Sequence, residues 1–83
     1  MILKDYIEDL GIEEAVILDG LDNCAIAFDI ETNKIIYDYD KIVDHFQEND
    51  GMDYEEAIEW VDYNVVRTCQ YISNPPIISR SIL

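Results

Sequence analysis

Hydrophobic and polar positions settle into a helical rhythm over residues 50–72, DGMDYEEAIEWVDYNVVRTCQYI. Tyr54, Ile58, Val61, Val65, Cys69 and Ile72 recur every three or four residues, with Ala57 and Thr68 beside them. That spacing gathers them on one side of a helix. Asp53 has the carboxylate to cap its start, and Glu56 is placed to reach back and complete a capping box. Asn74-Pro75-Pro76 ends it, because proline lacks an amide donor and disfavours helix in the residue before it. The pattern predicts one long helix over 53–72.

The remaining elements are shorter. Leu3, Ile7 and Leu10 keep helical spacing over residues 2–10, and Gly11 comes next as a C-terminal stop. Ala15–Leu18 is a brief apolar run, readable as a strand or as the end of a turn. Asp19-Gly20-Leu21-Asp22-Asn23 is turn chemistry, in which Asp19 or Asp22 could alternatively cap a short helical turn. Cys24–Ile30 and Ile35–Tyr39 have the composition of two strands. The four residues between them, Glu31 to Lys34, suit a hairpin loop with Asn33 in the left-handed conformation. Asp38 or Asp40 can then cap a helix over 41–48 with Ile42, Val43 and Phe46 inward, until Glu48-Asn49-Asp50-Gly51 breaks it. Residues 77–82 read as an edge strand returning to the hairpin. The expected fold is α+β: a small antiparallel sheet, the hairpin plus the C-terminal strand, packed against two or three helices in one domain.

Composition narrows the class. Hydrophobic residues make up 49% of the 83, which argues against intrinsic disorder despite the charge. No apolar run approaches the ~20 residues of a membrane span. Lys4 and Asp5 interrupt the apolar start and no signal-type segment comes after them, so we expect a cytoplasmic protein with Cys24 and Cys69 reduced. Nineteen acids against five Lys and Arg give a net charge of −14. All nineteen lie in residues 1–62, which carry −16, whereas residues 63–83 carry +2. Such a charge repels nucleic acid and anionic membrane and steers association towards basic partners.

No motif for catalysis or metal binding emerges. An EF-hand register set on Gly51 puts Phe46 and Ala57 at ligand positions, and one set on Gly20 puts Ile17 there. His45 is the single histidine, too few for a typical zinc site, and is expected at the surface or its boundary. A His45 pairing with Cys24 or Cys69 would lack a glycine elbow or oxyanion loop, and Cys69 falls on the predicted core face. The three glycines fit no phosphate-binding loop. We expect no cofactor, no metal and no enzyme.

The predicted long helix has a second face. Glu56, Glu59, Trp60, Tyr63 and Arg67 lie off the apolar stripe or on its margin. Aromatic residues ringed by acids are the composition of a protein-binding hot spot; the alternative, that Trp60 covers the sheet edge or the helix over 41–48, is the reading favoured for a lone tryptophan in a small domain. Carboxylates spread over one face can also imitate a phosphate backbone and occupy a basic groove. The expected partner-binding residues are Asp44, Glu48, Glu55, Glu56, Glu59 and Asp62 for steering, with Trp60 and Tyr63 as anchors. The alternative is a structural or assembly protein, a homodimer for instance, that self-associates through its C-terminal strand and tyrosine-rich faces.

Asp19–Ile26 (DGLDNCAI), Tyr37–Ile42 (YDYDKI), Asp50–Ala57 (DGMDYEEA) and Tyr63-Asn64-Val65 resemble a set of small proteins encoded in phage and prophage genomes. The similarity spans residues 19–78. Members often carry Gly-Ala-Trp after the helix and Thr-Pro near the end, where this chain has Arg67-Thr68-Cys69 and Asn74-Pro75-Pro76-Ile77. The resemblance implies a phage protein acting in the host cytoplasm, where small acidic chains bind and inhibit host proteins. It carries over no site residues.

Overall fold

The computed structural model describes residues 3–11, 15–80 and 82. Ile2 and Ser81, which two of the expected elements included, lie outside them. Helix α1 (Leu3–Asp9) buries Leu3 and Ile7, one helical turn apart. Leu10, expected inward, is 49% exposed because the helix has ended and the chain is already turning towards Gly11, whose φ is 71°. Residues 15–18 form no regular element. A 3-10 turn covers Asp22–Cys24 without a side-chain cap. Asp22 instead accepts the Leu3 amide at 3.4 Å, holding the start of α1 against this turn.

Strands β1 (Ala25–Asp29) and β2 (Lys34–Asp38) pair antiparallel as the expected hairpin, and Asn33 takes a φ of 57°. Asp29 fixes the loop by accepting the Glu31 amide and the Thr32 hydroxyl. The register slips between Ala25 and Ala27, so Ile26 is the extra residue of a bulge and is exposed. Along β2, Ile35 and Tyr37 are buried and alternate with half-buried neighbours, so this central strand sends one face into the core.

Asp38 ends β2 and caps helix α2 (Tyr39–Asp50), accepting the amides of Asp40 and Lys41 at 2.9 and 3.3 Å. Gly51, at φ 68°, closes α2 in the left-handed conformation that glycine adopts without strain. Helix α3 (Tyr54–Val61) begins at Asp53, whose carboxylate accepts the Glu56 amide at 2.8 Å. The returning half of the capping box is absent from the hydrogen bonds of the described residues, and the Glu56 side chain lies along a surface groove instead.

The long helix is not uniform. Between α3 and a last α-turn, α4 (Arg67–Cys69), the chain makes a π-helical turn over Asp62–Val66, in which the Arg67 amide reaches back five residues to Asp62. Junction residues Asp62 and Arg67 keep right-handed helical angles, so the three pieces run on as one rod. A π turn absorbs one extra residue and rotates the remainder of the helix backwards by about 100°. That rotation explains why Thr68, expected inward, is exposed, while Val66 packs on the core and Cys69 is buried. The rod also ends three residues early, since Asn74 before the prolines adopts a φ of 54° and the intervening residues unwind through turns.

Strand β3 (Ile77–Ser79) joins the hairpin at β2, giving the order β1-β2-β3. The α+β architecture is the expected one, but the third strand runs parallel to β2, so the sheet is mixed rather than antiparallel. The connection from β2 passes through two helices, which is the kind of crossover that parallel pairing requires. Ile78, opposite Tyr37, packs on the core made by Ile35, Tyr37, Ile42, Val43, Ala57 and Val61.

Tyr37 is fully buried, and its hydroxyl oxygen accepts the Leu18 amide at 2.8 Å. Tyr37→Phe keeps the ring and strips the amide of that acceptor, so unfolding free energy should fall by about 1–2 kcal/mol in urea titration. An unchanged stability would mean that water replaces the hydroxyl.

Candidate protein-binding groove

The exposed side of α3 and the π turn carries a shallow groove of about 860 Å³. Five of the residues singled out in the sequence line it: Glu56, Glu59, Trp60, Asp62 and Tyr63. Met52, Asn64 and Arg67 complete it. Asp44, Glu48 and Glu55 are exposed or half-exposed but lie outside the groove, the first two on α2 and the third on another side of α3.

Trp60 covers part of α2, as one of its sequence readings expected, and keeps part of its surface in solvent. Its ring meets Phe46 of α2 edge-on, with centroids 6.1 Å apart, and it is still 43% exposed. Tyr63 is 66% exposed, and the Arg67 guanidinium lies 5.3 Å over its ring. Asn64 donates its side-chain amide to the Trp60 carbonyl at 3.1 Å. Asn49 makes the same bond to the His45 carbonyl in regular helix α2, so this is a side-chain contact back to the preceding turn. Residue type and spacing could find Trp60 and Tyr63, but nothing in the sequence pattern marks the side-chain bond of Asn64.

A second polar cluster adjoins the groove through Asp62. The Tyr39 hydroxyl donates to Asp62 at 2.7 Å, and Arg80 lies 5.1 Å over the Tyr39 ring while its Nε and terminal nitrogen both reach Asp40, at 3.3 and 3.1 Å. The pair is half-exposed, so its value lies in orientation more than in stability. Burial, then the Asp62 bond and charge, push the Tyr39 pKa up to about 12. The cluster joins α2, the π turn and the residue after β3, three points distant in sequence.

Elsewhere, His45 is half-buried beside Phe46 and shares a cleft of about 320 Å³ with Cys69. No hydrogen bond joins them among the described residues. Burial raises the Cys69 pKa, the opposite of thiolate activation, and raises that of Cys24 as well. Among the described residues no group of three or more His, Cys, Asp or Glu is placed to hold a metal ion, and no helix is long and apolar enough to cross a membrane.

The acids are placed at some cost. Asp40 and Glu55-Glu56 sit in first turns, where the helix dipole favours them. Glu48 and Asp50 sit at the opposite end of α2, which has no basic residue in its last turn, and Glu48 lies one turn beyond Asp44. Comparisons with protein-family models, curated proteins and solved structures found no match to this chain.

Glu48→Lys removes a like-charge pair and complements the dipole, so it should raise stability by about 0.5–1 kcal/mol in urea titration; a loss would refute that electrostatic account. The raised pKa of Tyr39 means that its neutral-state contacts stabilise fully below its ordinary pKa of 10 and are lost as pH rises towards 12. Asp62→Asn should bring Tyr39 ionisation to lower pH in an ultraviolet titration, with part of the elevation kept because burial remains. No movement would leave Asp62 without influence on the phenol.

Proposed function

We propose that this chain is a small, acidic, non-enzymatic protein-binding module of phage type. It engages the basic surface of a host or phage nucleic-acid-binding protein in the cytoplasm and inhibits or modulates it, with its carboxylates standing in for nucleic-acid phosphates. The observation that carries this reading is the groove, where exposed Trp60 and Tyr63 lie among Glu56, Glu59 and Asp62. Aromatic anchors supply contact area, and the surrounding acids, on a chain of net charge −14, supply steering. Glu48 and Asp50, held where the α2 dipole disfavours them, add to that field at the expense of stability. The resemblance to small phage and prophage proteins supports the setting.

Self-association through the C-terminal strand is the alternative class. It draws on exposed Tyr71 and Ile82, although β3 is already paired with β2 along one edge and contributes Ile78 to the core.

Capture of partners from a host lysate tests the proposal. At ~0.05 M salt a basic, nucleic-acid-binding protein should be retained, and at ~0.5 M salt or with competing DNA or RNA it should be released, since screening shortens the reach of exposed charges. Retention that ignores both salt and competitor would overturn the electrostatic reading.

A further inference from the structure

The molecule already shows how its surface holds a guanidinium. Arg67 lies over the Tyr63 ring at the groove, and Arg80 lies over Tyr39 while it bonds the Asp40 carboxylate. In the second case one planar cation meets an aromatic face and a carboxylate together, a combination that suits arginine better than lysine. Trp60 offers the same pair of partners without an arginine of its own among the described contacts. Its indole is 43% exposed, Glu59 precedes it in sequence, and Glu56 lies one helical turn earlier in the same groove. Phe46 supports the ring from the α2 side, so the seat is held before any partner arrives.

We infer that the Trp60 end of the groove is a seat for an arginine side chain presented by a basic protein segment, with Glu56 and Glu59 flanking the guanidinium. This rests on the reading of the groove as a surface for basic partners and specifies which cation it selects. Charge complementarity alone would accept lysine equally. The aromatic face is what separates the two, because the guanidinium is flat and weakly hydrated whereas the ammonium is compact and strongly hydrated. Arg67 occupies the neighbouring position on Tyr63, so the incoming arginine would lie beside it and rely on the two glutamates to offset the repulsion.

The test is calorimetric titration of the full chain with two unstructured peptides of equal length and charge, one arginine-rich and one lysine-rich. Emission from Trp60, the single tryptophan, is monitored in parallel. The arginine peptide should bind about threefold or more tighter and perturb the emission, in line with the strength of a partly exposed cation–π contact. Trp60→Leu should abolish the preference. Trp60→Phe, which keeps an aromatic ring against Phe46, should retain part of it and guards against a folding defect. Glu56→Gln with Glu59→Gln should weaken arginine binding more than neutralising Glu31 and Asp9, which lie outside the groove. Equal, salt-sensitive binding of both peptides would overturn the arginine seat and leave the basic-surface reading standing. No binding of either peptide at low salt would overturn both. An arginine preference that survives Trp60→Leu would place the selectivity elsewhere and overturn the seat.

Discussion

The buried phenol of Tyr37 is the constraint on which the rest of the structure depends. Its ring occupies the centre of the core from the middle strand, and its oxygen takes the amide of Leu18 from a segment with no regular hydrogen bonding of its own. A buried amide without a partner would cost about as much as a core methyl group or two. One side chain therefore fills the interior and fixes the course of the irregular chain across it. Asp22, at the end of that segment, then holds the first turn of α1. Replacing the tyrosine by an aliphatic residue of similar volume would fill the core and leave this peripheral chain without its anchor.

Much of the fold was legible because it arises from local chemistry. Asp53 as a cap, Asp38 as one of two candidate caps, Gly51 as a stop and Asn33 at the hairpin are single-residue effects that the structure contains. The departures come from interactions that local pattern does not encode. Thr68 and Cys69 are adjacent in a sequence that reads as ordinary helix, and only the π turn decides which of them faces inward. The parallel pairing of β3 is decided by a crossover through two helices. In the groove, Trp60 and Tyr63 stood out by residue type. Asp44 and Glu48 did not separate from Glu56 and Glu59, because carboxylates carry no label for the face on which they fall.

The distribution of charge has a physical logic that the total obscures. Acids in the first turns of α2 and α3 reinforce those helices, whereas those at the end of α2 oppose it. The two arginines of the last 21 residues are both folded back onto tyrosines, so the small positive part of the chain is largely engaged with its own surface. Both arginines remain exposed and keep their charge, so the outward field is set by the excess of acids over the surface as a whole. Under the proposed function, a partner approaching from a distance would meet that field first and the aromatic groove afterwards.

The π turn also bears on how the chain tolerates changes in length. A wide turn is geometrically a regular helix with one residue too many, the surplus being carried by a local widening rather than by a loop. Within it, Asn64 donates its side-chain amide back to the Trp60 carbonyl. The rod thus holds a spare residue next to the groove, between an N-terminal half packed on α2 and a C-terminal turn leading to β3. A sibling chain lacking one residue in this turn could tighten into uniform helix with both ends in place, because Cys69 would then stand seven residues after Val61 and keep its inward orientation. Insertion and deletion at this point would therefore remodel the turn that borders the groove, without rotating the C-terminal end of the rod or disturbing the sheet beneath it.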